Sequence, residues 1–224
     1  MISLIWDIDG TLLTTKGKGV VPFCEAFTEV TGKPAIIDRR KFSGFTDFEI
    51  VLSLLDEVGI EKNLALAEEI LDAFSRSLQV ALSDSPPEIL GAIEETLKFT
   101  NLSPEYTNSI GSGNFYKGAV VKLQKANLYQ YFENSEFFVA SKDCWNRDAI
   151  IQCAAKFCAD SPSLVIGDSP RDISSARASG LPVLAVATGQ HGFEELLELN
   201  PDYLLRKDWN LEDFKEVLHS LKLG

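Results

Sequence analysis

Two carboxylates, Asp7 and Asp9, stand two residues apart in Leu4-Ile5-Trp6-Asp7-Ile8-Asp9-Gly10-Thr11-Leu12. In extended backbone such residues project to the same side. Close like charges repel, and a divalent cation is one partner that relieves them, since Mg²⁺ prefers hard oxygen ligands. Gly10 frees the backbone to turn, and Thr11 adds a hydroxyl. A plainer reading exists, because Asp-Gly is also a common turn pair. The rest of the chain decides between them.

Three more polar stretches follow apolar runs. Ile110-Gly111-Ser112-Gly113-Asn114 sets a hydroxyl between glycines, a loop that can offer N–H groups to an oxyanion. Val165-Ile166-Gly167-Asp168-Ser169-Pro170-Arg171-Asp172 puts Asp168 directly after an apolar run, with Asp172 beyond it. With Asp7 this places acids at two strand ends, an oxygen-rich metal site. Ser169 or Asp172 also suits the cap of a following helix. Ser141-Lys142-Asp143-Cys144-Trp145-Asn146-Arg147 offers two cations, Lys142 and Arg147.

Elements must bring these stretches together. The first apolar run is too short for a buried helix and reads as a central strand covered on both faces. Residues 12–19 read as a flexible basic linker. Residues 20–82 carry helical spacing and no strand: Phe23, Phe27 and Val30; then Ile50, Val51, Leu54 and Leu55 behind a Thr46 or Asp47 cap; then Ile70, Leu71, Phe74 and Leu78. Ser83-Asp84-Ser85-Pro86-Pro87 ends that pattern. Helix and strand then alternate. Helices are expected over 88–99 (with Ile89, Ile93 and Leu97 on one stripe), 118–128, 147–158, 171–178, 193–199 and 211–221. Strands are expected over 106–112, 136–140, 163–167, 182–187 and 203–205. The alternation predicts an α/β fold, a doubly wound parallel-sheet (Rossmann-like) core with a small helical domain inserted after the first strand. The core is expected at 1–15 plus 84–224 and the insert at 16–83. Ligands of such sheets bind beyond the carboxyl ends of the strands.

Composition narrows the function. The 224 residues include 21 Lys plus Arg and 33 Asp plus Glu, a net charge of −12. An acidic chain without a basic run suits neither nucleic acid nor an anionic membrane. Cys24, Cys144, Cys153 and Cys158 form no C-x-x-C pair and only two histidines exist, which argues against zinc and for free thiols in a reducing cytoplasm. The N-terminus lacks a signal-peptide pattern, and no apolar stretch reaches the roughly 20 residues of a membrane span.

Asp7-Ile8-Asp9-Gly10-Thr11, Ser112, Arg147 and Gly167-Asp168 followed by Asp172 stand in the order of the four motifs of the haloacid dehalogenase superfamily. The chain resembles that family over its whole length, most of all its phosphoglycolate phosphatase-like subgroup. The insert resembles the family's helical cap, and Ser43-Gly44-Phe45-Thr46-Asp47 resembles its substrate loop. The resemblance implies a phosphatase acting on a small phosphorylated metabolite. It makes Asp7 the nucleophile that becomes an aspartyl-phosphate, and Asp9 the general acid and then base. Ser112 would bond a phosphoryl oxygen and Arg147 offset its charge. Mg²⁺ would be held by Asp7, the Asp9 carbonyl and Asp168, with Asp172 in support. Thr11, Gly113, Asn114 and Thr46 would line the substrate. Two features depart from the family: Ser112 replaces the commoner Thr, and Lys142 competes with Arg147 for the cationic role. Dehalogenases of the superfamily lack the acid at position 9, which disfavours dehalogenation. A phosphomutase and a non-catalytic module of the same fold are the alternatives, and a monomer or homodimer is expected.

Overall fold

The structure is a computed structural model that describes residues 1–38 and 41–223. Strand β1 (Ile2–Trp6) is buried along its length. Its side chains alternate between two cores, as a pleat requires. Ile5 packs with Ile150, Ile151, Val165 and Ile173, whereas Leu4 and Trp6 pack with Ile110, Leu123 and Phe214. The next elements are β2 (Leu13–Thr14), α1 (Val20–Thr31), α2 (Asp47–Glu57), α3 (Leu64–Ala81), β3 (Glu88–Ile89) and α4 (Ile93–Leu102). They are followed by β4 (Tyr106–Phe115), α5 (Tyr116–Lys125), a 3-10 turn at Tyr129–Tyr131, β5 (Phe137–Ala140), α6 (Arg147–Phe157), β6 (Ser163–Gly167) and α7 (Pro170–Ala178). The chain ends with β7 (Val183–Val186), α8 (Phe193–Leu197), β8 (Tyr203–Leu205) and α9 (Leu211–Leu223).

Six strands form one sheet in the order β5-β4-β1-β6-β7-β8, and every pairing in it is parallel. The chain winds from β1 through β4 to β5, then crosses back to β6 and continues outward. Winding therefore reverses between β1 and β6. A crevice opens at such a reversal beyond the strand ends, the place where open α/β sheets bind ligands. Asp7 directly follows β1 and Asp168 directly follows β6. The doubly wound parallel core expected from the alternation is thus present.

Helices α1, α2 and α3 lie between β2 and β3 and pack on one another through Phe23, Phe27, Val51, Leu54, Leu71 and Phe74. The insert rests on the core, with α3 against α5 and α2 against β4. Polar ties span the seam: Lys117 to Asp72 at 2.7 Å and Lys142 to Glu68 at 2.6 Å. Arg171 grips both oxygens of Glu49 at 2.9 and 3.0 Å. Among the described residues, no helix is long and apolar enough to cross a membrane. All four cysteines are free, with the Cys144 and Cys153 sulfurs 3.1 Å apart.

Three expectations need correction. The expected helix over 88–99 starts only at Ile93, and Glu88–Ile89 instead pairs antiparallel with Leu13–Thr14. The prolines before Glu88 favour extended backbone, and Gly91, at φ +50°, turns the chain into α4. Ile89 shares the Ile93 and Leu97 stripe because it packs on the same core, not because it is helical. Consequently the supposed flexible linker begins as half of a two-stranded ribbon, with Leu12 and Leu13 fully buried. Lastly, β4 runs on to Phe115, so Ser112 lies inside a strand rather than in a glycine loop. Its register against β5 shifts between Ser112 and Phe115.

Candidate active site

Asp7 stays tied to the sheet, its N–H donating to the Ile166 carbonyl at 2.9 Å. Carboxylate oxygens of Asp7, Asp168 and Asp172 all lie within 4.8 Å of one another. Two glycines make room for this. A Cβ on Gly189 would lie 1.5 Å from an Asp168 oxygen, and one on Gly10 2.3 Å from it. Gly10 also turns the chain at φ +87°, which side-chain-bearing residues rarely adopt. The Thr11 hydroxyl stands 3.4 Å from Asp168, a long contact that leaves this carboxylate weakly bonded.

Asp172 is held on all sides. One oxygen accepts from the Ser169 N–H at 3.0 Å and the Ser169 hydroxyl at 2.7 Å, closing a capping box at the start of α7. The other faces Arg147. Arg147 opens α6, whose cap is Asn146 and whose buried face is Ile150, Ile151 and Ala154. Packing of that face sets where the guanidinium starts. It forks, with one arm on Asp172 and the other on Asp7 at 3.1 Å. Three acids here face one cation. Burial pushes the Asp7 carboxyl up to about 6, with Asp172 and Asp9 adding to the rise and Arg147 and the Ser112 hydroxyl opposing it. Burial, then Asp172 and Asp7, push Asp168 well above the usual carboxylate range. Burial works against the Arg147 charge, but Asp172 and Asp7 outweigh it and raise its pKa.

Asp9 serves the opposite side. The sheet strand stops at Trp6, so Asp7 and Asp9 do not share a strand face, and Asp9 is bridged to Leu13 in the turn. One Asp9 oxygen accepts from Lys122 Nζ at 2.5 Å and from Asn114 Nδ2 at 2.8 Å. Lys122 also donates to Asn114 Oδ1 at 2.5 Å, and Asn114 Nδ2 reaches the Ser112 hydroxyl at 2.9 Å. The Asp9 carboxylate stands outside the three-acid cluster.

The insert reaches in at Thr46 and Asp47. Thr46 caps α2 in a capping box with Glu49, and its hydroxyl donates to the Trp145 carbonyl at 2.5 Å. Asp47 accepts from the Phe115 N–H at 2.8 Å. Burial pushes the Asp47 carboxyl up to about 6, opposed by Lys122 and that N–H. Gly113 lies under Thr46: a Cβ there would come within 3.0 Å of the Thr46 Cα. Asp7, Asp9, Ser112, Asn114, Arg147, Asp168 and Asp172 therefore converge, with Thr11, Gly113 and Thr46 buried beside them. Lys142 does not converge with them, being half exposed and paired with Glu68.

Lys122 escaped the reading of the sequence. Its signal was present, since it interrupts the apolar stripe of Ala119, Leu123 and Ala126 on α5 and yet is buried. A lone lysine on an amphipathic helix more often snorkels to solvent, so the stripe alone does not single it out.

The sequence profile of the haloacid dehalogenase-like hydrolases matches residues 4–186. Solved structures show the same fold at low identity. A predicted phosphoglycolate phosphatase from Haemophilus somnus is 15% identical over 97% of both chains, with a TM-score of 0.66. A β-phosphoglucomutase from Clostridium difficile is 18% identical over 100% of both, with a TM-score of 0.70. A haloacid dehalogenase-like hydrolase from Streptococcus pneumoniae is 17% identical over 97% of both, with a TM-score of 0.65. With the profile spanning most of the chain and the four motif positions gathered at the sheet's winding reversal, the chain belongs to the haloacid dehalogenase-like hydrolases.

Proposed function

We propose that this hydrolase is a Mg²⁺-dependent phosphatase that cleaves a small phosphorylated metabolite, a phosphoglycolate-like phosphomonoester, through an aspartyl-phosphate. The observation that carries the reading is the charge imbalance around Asp7: the partly buried Asp7 and the buried Asp168 and Asp172 against one guanidinium, an excess of two negative charges. An anionic phosphoryl group cannot approach that cluster until a divalent cation offsets it. The donors are carboxylate oxygens, which suit Mg²⁺, and Asp168 is the acid with the weakest hydrogen bonding. Asp7 and Asp168 would hold the ion with the Asp9 carbonyl, while Asp172 acts through Arg147 and Ser169. When bound, the ion would neutralise and polarise the phosphoryl oxygens.

The chain's own groups divide the work. Asp7 attacks phosphorus as the bond to the leaving oxygen breaks. Asp9 gives its proton to that oxygen, then takes one from the water that releases inorganic phosphate and restores Asp7. Arg147, already bonded to Asp7, and the Ser112 hydroxyl draw charge from the transferring group. The insert, Thr46 and Asp47 foremost, covers the site and keeps bulk water out while the phospho-enzyme forms.

A screen of phosphomonoesters that includes 2-phosphoglycolate, read as phosphate release with Mg²⁺ and after exhaustive chelation, tests this. Release that needs Mg²⁺ is expected; full activity after chelation, or no release from any ester, overturns it. The tight seal of Thr46 over Gly113 also suits a phosphomutase, which must return its phosphoryl group to substrate before water takes it. Isomerisation of a sugar phosphate without phosphate release in the same screen would favour that second reading.

A further inference from the structure

Lys122 belongs to none of the four motifs, yet it is 7% exposed and makes two 2.5 Å contacts at the heart of the site. Burying a lysine is costly unless its charge is met. Here it is met from both sides of the seam. Asp9 and Asn114 of the core bond its ammonium, and the carboxylate of Asp47, from the insert, pulls on the same charge. A structural lysine needs only a partner. This one is placed so that both of its bonds bear on how one carboxylate is turned.

We propose that Lys122 is the positioning residue of Asp9: with Asn114 it holds one carboxylate oxygen back toward α5, leaving the other to face the leaving oxygen of the substrate. The geometry is specific. Lys122 and Asn114 both address the same oxygen, Oδ2. The Asp9 side chain nevertheless remains 42% exposed, while that of Lys122 is 9% exposed. One carboxylate oxygen is therefore tied to buried donors while the Asp9 side chain as a whole stays accessible. Asn114 is in turn fixed by the Ser112 hydroxyl, 2.9 Å from its Nδ2, so the hydrogen bonds that hold Asp9 are anchored in β4, the strand beside β1. Asp47 adds a dependence on the insert. It docks on the Phe115 N–H, at the cap of α5, the helix that carries Lys122. Seating of the insert thus brings a second negative charge to Lys122 at the time Asp9 must be in place.

The inference rests on the phosphatase reading, in which Asp9 handles the leaving-group proton. A misplaced acid has a selective consequence. An alkyl leaving group departs poorly without a proton, whereas p-nitrophenolate departs well without one. Lys122→Met should therefore lower kcat/KM, which reports the steps through leaving-group departure, by roughly 10²-fold for an alkyl phosphate accepted by the wild type. The loss for p-nitrophenyl phosphate should be within a few-fold. Lys122→Gln, which keeps a hydrogen-bond donor without the charge, should fall between wild type and Met, and it serves if Lys122→Met does not fold. Thermal melting of each variant separates loss of fold from loss of placement. Equal losses on both substrates, or no loss on either, overturn the proposal. Wild-type protein that releases phosphate from neither substrate overturns the phosphatase reading instead.

Discussion

The two halves of the site solve the burial of charge in opposite ways. Around Asp7, three carboxylates crowd one guanidinium, and Asp7 and Asp168 are pushed toward protonation. Around Asp9, the carboxylate is bonded directly by one ammonium and an amide, with short bonds on each, while Asp47 acts on the same ammonium without a direct bond. The first half is incomplete without a cation. The second is complete within the protein. An excess of charge marks where something must bind, and a balanced pair marks where a group must be held still.

The largest effect should come from removing the nucleophile. Asp7→Asn takes one negative charge from the crowded half and should lower turnover by roughly 10⁴-fold or more, the scale seen when a covalent nucleophile is lost. Melting without Mg²⁺ should hold or rise, because a like charge has left the cluster. Turnover within tenfold of wild type would show that the crowded half does not carry the chemistry.

Arg147→Ala tests the same half from the other sign. Leaving Asp7 and Asp172 buried without their cation should destabilise the fold by about 3–5 kcal/mol. In the protein that still folds, kcat should fall by roughly 10²–10³. Lys142→Ala, on the surface beside Glu68, should change stability by no more than about 0.5 kcal/mol. Denaturant unfolding and phosphate release on both variants check this. The reverse ranking would move the cationic role to Lys142.

A smaller effect should appear with pH. Burial pushes the Asp7 and Asp47 carboxyls up to about 6 in the fold, from an ordinary value of 3.8. Between those values the folded chain binds more protons than the unfolded one, so stability falls as pH rises through about 4 to 6 and the penalty is complete above that. The two groups together make the metal-free protein more stable near pH 5 than near pH 7.5, by about 1.4 kcal/mol per group at most. Added Mg²⁺ should recover the part belonging to Asp7 and leave the part belonging to Asp47. Melting curves across that range, with and without Mg²⁺, read the difference. A Mg²⁺ effect of equal size at both pH values would contradict it.

The crowded half was the legible one. Asp7, Asp168 and Asp172 each follow or cap an element whose apolar run is plain in the sequence, and Arg147 opens a helix with a regular buried stripe. Asn114 was expected to line the substrate, and the structure instead bonds its side chain to Asp9 and Lys122. Lys122 was not legible, because a helix's sequence does not say which of its residues points at the end of a strand. The β2–β3 ribbon was hidden for another reason: two-residue strands carry no periodicity, and Ile89 keeps helical spacing with Ile93 while lying in a strand.

Local chemistry was determined by the sequence alone. An apolar run ending in an acid must form a buried strand with a polar tip, and alternating runs of that kind must stack into a parallel sheet with its tips on one edge. The order of those strands, and hence the meeting of Asp7 with Asp168 across the winding reversal, is not contained in that alternation, because right-handed crossovers fix the hand of each connection and not which strands become neighbours. Only the tertiary structure decided how the second half was closed. Lys122 reaches Asp9 because α5 docks on the sheet with that face inward, and Asp47 reaches α5 because the insert seats on the core. Both depend on packing between elements far apart in the chain, where a rotation of one helix by a single residue would bring another side chain to the site.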